Sequence, residues 1–144
     1  MVPFLEVLLA LPFLAAALLA LLRPRSRAAA AWIAGAAPLL GLVVLGWLAP
    51  SILQGWIVRG EHAWIPQIGL DFDLRLDGLA WMFAGLVLAI GALVVLYAHY
   101  YLSARDSAAR FFSYLLLFMG SMLGVVVAGN LLLLLVFWEL TSIS

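Results

Sequence analysis

The chain has 144 residues, 68% of them hydrophobic and 10% charged, with seven arginines, no lysine, seven acids and no cysteine. Soluble domains carry roughly 45–50% apolar and about 25% charged residues, so a water-soluble globule is excluded and lipid is the expected solvent. Zero formal net charge without a basic stripe argues against nucleic-acid binding, and with no cysteine and no His, Asp and Glu at ligand spacing neither a metal centre nor a cofactor is expected.

Apolar runs of about 20 residues mark the membrane spans. The first is Val2–Leu22, followed by the basic run RPRSR. A secretory signal has its positive charge before the apolar core. Here Glu6 lies near the start, and Arg23, Arg25 and Arg27 follow, so the run reads as a first helix. The second span is Ala28–Pro50.

The loop Ser51–Asp77 has structure of its own. In LDFDLRLD, Leu70, Phe72, Leu74 and Leu76 alternate with Asp71, Asp73, Arg75 and Asp77, the period of a half-buried strand. EHAWI (Glu61–Ile65), before the breakers Pro66 and Gly69, is its expected hairpin partner. Asp71 and Asp73 read as charges on a hydrated hairpin face, His62 as a solvated loop residue, and Asp77 as the N-cap of the next helix.

The third span is Gly78–Leu102 and the fourth Phe111–Gly129. GSMLG (Gly120–Gly124), continued by Ala128, is a small-residue face that lets a neighbouring helix come close. The fifth span opens near Asn130, and the residues after it reach only about 21 Å. A helix ending in hydrocarbon leaves its last carbonyls unpaired, so the chain reads as the N-terminal fragment of a longer membrane protein.

The expected fold is an all-α polytopic membrane protein of about five transmembrane helices, the last truncated, with a short extracytoplasmic β-hairpin between helices 2 and 3. Residues 1–77 form a two-helix segment plus outer loop, and residues 78–144 open an incomplete helical core. Arg23, Arg25, Arg27, Arg105 and Arg110 fall on one side of the five spans. The positive-inside rule puts that side in the cytoplasm and the N-terminus outside. The expected location is the inner (plasma) membrane.

Glu139 directly follows eight apolar residues, Leu131 to Trp138, about 12 Å along its helix. A charge at a helix centre in lipid costs about 2.5–3.5 kcal/mol on insertion scales. Such an acid must be protonated, partnered or hydrated. It either carries protons or ties two helices together, and intramembrane acids are functional by default. Ser142 shares its face and Thr141 lies close by, so either hydroxyl could hydrate the acid or simply pack. His99, in LYAHYYLS, reads either as a proton-uptake residue or as part of an aromatic belt with Tyr97, Tyr100 and Tyr101. The arginines lie at helix ends or in loops, so a charge partner for Glu139 is expected outside these residues.

The segments DGLAWMFAGLVLAIGALVVLYAHYYLS and RFFSYLLLFMGSMLGVVVAGNLLLLLVFWELTSIS resemble the opening of the A-type subunits of Mrp-type multisubunit Na⁺/H⁺ antiporters. They resemble less closely the L-type subunits of respiratory complex I. FWELTS carries the antiporter form most specifically, and over the first two helices only the hydropathy pattern matches. The resemblance implies that Glu139 is an essential ionisable residue of the proton path. It also implies monovalent cation/proton antiport in a hetero-oligomer, with other antiporter subunits, Na⁺, H⁺ and the lipid bilayer as partners. Proton pumping within an NADH:quinone oxidoreductase is the alternative. A third reading is a purely structural role in a membrane complex. Complex I relatives often carry Asp before the Asn that opens this helix, whereas here Gly129 precedes Asn130.

Overall fold

The computed structural model describes residues 4–68, 70–102 and 107–143. In chain order it contains α1 (Phe4–Leu22), α2 (Arg27–Leu53), β1 (Val58–Ile65), a 3₁₀ turn at Pro66–Ile68, β2 (Leu70–Leu76), α3 (Gly78–Tyr101), α4 (Ala108–Val127) and α5 (Leu131–Ile143). The first four helices are long and apolar enough to cross a membrane, while α5 has 13 residues. Gly69 and Arg105 lie outside the described residues, as do the side chains of Arg27, His62 and Asp71.

The ends of these elements follow from local chemistry. Ser107 caps α4 by accepting from the Arg110 N–H at 3.4 Å, so the helix starts at Ala108, three residues before the expected Phe111. Asp77 caps α3 as expected, its Oδ1 accepting from the Ala80 N–H at 2.8 Å. α2 continues past Pro50 to Leu53, and the Pro50 carbonyl still accepts from Gln54 N–H at 3.2 Å. A proline removes only its own N–H from the ladder, so the expected stop at Pro50 falls one turn early. β1 likewise begins at Val58 rather than Glu61.

The helices pack through stripes at helical spacing. α2 buries the stripe Ala30, Ala34, Ala37, Leu45, Leu48 and Ile52 and packs on α3, α1 and α4, while α3 buries Ala84, Leu88, Val95 and Ala98. Gly41 belongs to the same stripe, where a Cβ would come 2.8 Å from Leu88 Cδ1. α1 and α4 pack on each other through Leu5, Leu8 and Leu19 and through Phe112, Leu116 and Leu123. Two hydrogen bonds cross these contacts: Trp81 Nε1 donates to the Leu45 carbonyl at 2.9 Å, and Ser113 Oγ to the Ala16 carbonyl at 3.0 Å. In lipid such interhelical bonds contribute on average about 0.6 kcal/mol. The outer surface stays apolar, with Trp32 and Trp47 of α2 more than two-thirds exposed.

The hairpin is antiparallel, with Val58 opposite Leu76, Gly60 opposite Leu74 and His62 opposite Phe72. Its apolar face turns towards the helices as the alternation requires: Leu74 and Leu76 are fully buried, and Phe72 is half-buried. The free edge of β2 is covered by the α4–α5 link. Leu74 bridges Ala128, and the Gly129 N–H donates to the Asp73 carbonyl at 2.7 Å. At the other strand, the Glu6 carboxylate of α1 occupies the space above Gly60. One small sheet therefore touches the starts of α1, α3 and α5 and the end of α4.

Candidate functional site

α5 starts where that link ends. Asn130 Oδ1 accepts from the Leu133 N–H at 2.8 Å, and its carbonyl from the Leu134 N–H at 3.1 Å, so Asn130 is the N-cap. Leu133 and Phe137 are buried and Leu140 packs partly against the same core. The spacing of four and three residues makes this one stripe. The stripe rests on α4, where Gly124 leaves room for the Phe137 ring: a Cβ there would overlap the ring carbons. Gly120 does the same for Phe13 of α1, whose ring carbons would lie 2.9–3.1 Å from an added Cβ. The small-residue face thus receives aromatic rings from two neighbouring helices. Phe137 also meets Phe13 and Phe72, each with ring centroids 6.5 Å apart.

Locking that stripe fixes what the opposite face carries. Glu139 and Ser142 are exposed, together with Leu132, Leu135, Val136 and Ile143. The acid therefore stands on an apolar helix face that no other described residue covers. Thr141 is half-buried, and its hydroxyl donates to the Trp138 carbonyl at 2.5 Å. The structure brings Ser142 onto the Glu139 face and turns Thr141 back to its own helix.

His99 lies elsewhere. It sits in the last turn of α3, half-buried, with its ring edge-on to Tyr100 at 4.8 Å, beside the stacked Tyr97 and Tyr101. α3 and α5 both start beside the hairpin. By helical rise, His99 is on the order of 20 Å further along the bundle than Glu139. The two are not brought together.

Asp73 is the residue whose surroundings the alternating pattern does not reveal. Its carboxylate lies against Gly129, where a Cβ would come 2.6 Å from Cγ and Oδ2. Oδ1 is buried with no hydrogen-bond partner among the described residues. Rather than facing water on a hydrated hairpin face, the group packs at the start of α5. There the positive end of the helix favours a negative charge. An acid thus stands beside position 129, delivered by β2 rather than by the link itself. Only the pairing of Leu74 with Ala128, remote in sequence, reveals this.

The family model described as complex I (NADH-ubiquinone oxidoreductase) chain 5 N-terminus matches residues 64–112. The A/B component of a probable K⁺/H⁺ antiporter of Rhizobium meliloti is 49% identical over 140 residues, covering 96% of this chain and 14% of that protein. The A1 component of a Na⁺/H⁺ antiporter of Staphylococcus aureus is 43% identical over 113 residues, covering 78% of this chain and again 14% of the relative. Among solved structures, the Mrp complex from Dietzia sp. DQ12-45-1b superposes with a TM-score of 0.81 at 32% identity, over 96% of this chain and 15% of the matched one. The chain therefore spans about 14% of the length of the curated relatives it matches.

Proposed function

The chain belongs to the family of A-type subunits of Mrp antiporters, and from that premise we propose that it contributes the first part of a proton path in a multisubunit monovalent cation/proton antiporter. Glu139 is the proton-carrying group, and Ser142 is its accessory hydroxyl. Transport exchanges Na⁺ or K⁺ for H⁺, the two cations named for the relatives. The complex lies in the plasma membrane with other antiporter subunits. The end bearing Arg23, Arg25 and Arg110 faces the cytoplasm and the hairpin the opposite side.

One observation carries this reading. Glu139 is the single acid of α5, on a face that is apolar apart from Ser142 and that no other described residue covers. Facing hydrocarbon, such a charge is costly. The face therefore requires protein or water against it, supplied from outside these residues, and a carboxylate so placed exchanges protons with whatever group meets it. The test is Glu139→Gln in the complete antiporter, with cation-induced proton movement followed in inside-out vesicles. Transport should fall to background while the complex still assembles. Transport near the parental rate removes Glu139 from the path, and loss of assembly instead marks a structural group.

A second reading follows from the match of residues 64–112 to the complex I family. Under this reading Glu139, which lies outside the matched residues, would serve redox-driven pumping. Proton movement in the same vesicles on adding NADH, with none on adding Na⁺ or K⁺, would decide for it.

A further inference from the structure

At the end of the bundle opposite the hairpin, a cavity of about 650 Å³ is lined by the end of α1 and the start of α4. Arg23 and Arg110 line it, with Ser107, Ser113 and Tyr114 between them. Neither guanidinium has a carboxylate partner among the described residues. Arg23 Nε donates to the Ala20 carbonyl at 3.3 Å, which uses one of five donors. Arg110 lies over the Tyr114 ring at 6.0 Å, a contact that holds its position while leaving its N–H groups unspent. Arg23 also has φ 44°, a left-handed conformation that ordinarily favours glycine.

We propose that this cavity binds the phosphate of an anionic phospholipid headgroup. Two arginines, one just past the end of α1 and one in the first turn of α4, line the same cavity with planar donor sets of the kind that suits phosphate oxygens. The hydroxyls of Ser107 and Tyr114 and the positive end of α4 add to the same field. The walls decide for lipid over free phosphate. Both helices are long and apolar enough to span the membrane. One turn beyond Tyr114, α4 continues into the exposed apolar side chain of Phe118. A headgroup held between the arginines thus has an apolar surface beside it for its acyl chains.

The test uses the complete antiporter purified in detergent, with retained lipid measured by native mass spectrometry. Phosphatidylglycerol should be retained over phosphatidylcholine. Arg23→Gln and Arg110→Gln should each weaken that retention about fivefold, the equivalent of about 1 kcal/mol per arginine near an anionic lipid surface. The pair of lysine replacements should keep most of it, and Arg75→Gln at the hairpin end should not change it. A photoreactive phosphatidylglycerol added to the unmutated complex should label Tyr114 and its neighbours, an arm that needs no variant to fold. Equal retention of both lipids, retention unchanged in the double Gln variant, or labelling only elsewhere overturns the proposal. Displacement of the lipid by inorganic phosphate would make this a free-phosphate site, and cross-linking of Tyr114 to a neighbouring protein of the complex would make it a protein interface; either outcome overturns the lipid assignment.

Discussion

The main-chain N–H of Gly129 donates to the Asp73 carbonyl at 2.7 Å, and the Asp73 carboxylate fills the space that a Cβ at position 129 would take. Strand β2 and the α4–α5 link are thereby joined through backbone and side chain at one point. Gly129→Ala should break this join. The added carbon would also lie 2.9 Å from the Asp73 carbonyl oxygen, which is backbone and cannot swing aside. A loss of about 1–3 kcal/mol is expected, as for overpacked sites, with faster proteolysis of the hairpin. Thermal unfolding of the purified protein measures it, and a change within about 0.5 kcal/mol would mean that the link relaxes freely.

The socket under α5 makes a second case. Gly124→Ala should destabilise by about 1–3 kcal/mol because the methyl group overlaps the Phe137 ring. Phe137→Leu in the same chain should recover part of that loss, whereas alone it should be destabilising. A double-mutant cycle on thermal stability reports the coupling, and simple additivity would show that the ring does not sit against this glycine.

At the start of α3, Asp77→Ala should cost about 1 kcal/mol, the usual value of a lost N-cap. Asp77→Asn should be nearly neutral, since Asn caps as well as Asp. The Arg75–Asp77 pair, 3.5 Å apart and partly exposed, adds little. Equal losses in both variants would place the effect in the ion pair and not in the cap.

The two hydroxyls near Glu139 should separate in transport assays. Ser142→Ala should slow cation/proton exchange about fivefold to tenfold, the size of one hydrogen bond of roughly 1–1.4 kcal/mol. Thr141→Val should leave it close to parental, because that hydroxyl already donates to the Trp138 carbonyl. The reverse order would reassign the accessory role.

Much of this was readable from the chain alone, for reasons that differ by element. Long apolar runs show where the helices are, because every buried residue type counts towards the same total. Strict alternation over Phe72–Leu76 shows which face of β2 is buried, because strand period leaves no other choice. Asp77 declares the start of α3 by its capping chemistry, whereas the capping by Asn130 and Ser107 emerges only from the hydrogen bonds of the fold. What alternation could not give was the fate of Asp73, since a period of two assigns faces but does not say what later docks on an edge. The glycines at 120 and 124 announced a close approach, but not that aromatic rings would fill it. The face of Glu139 was equally hidden: its depth follows from counting, while its direction follows from Leu133 and Phe137 having been claimed by α4.

The seating of Phe137 has a mechanical consequence for the acid two residues on. With its ring held between Gly124, Phe13 and Phe72, α5 cannot roll about its long axis like a turning key. Any switch in which side Glu139 addresses must then arise from rotation about its own side-chain bonds, or from rearranged water beyond it. On the proposed proton path, the helix would then serve as a fixed mount, with movement left to the carboxylate.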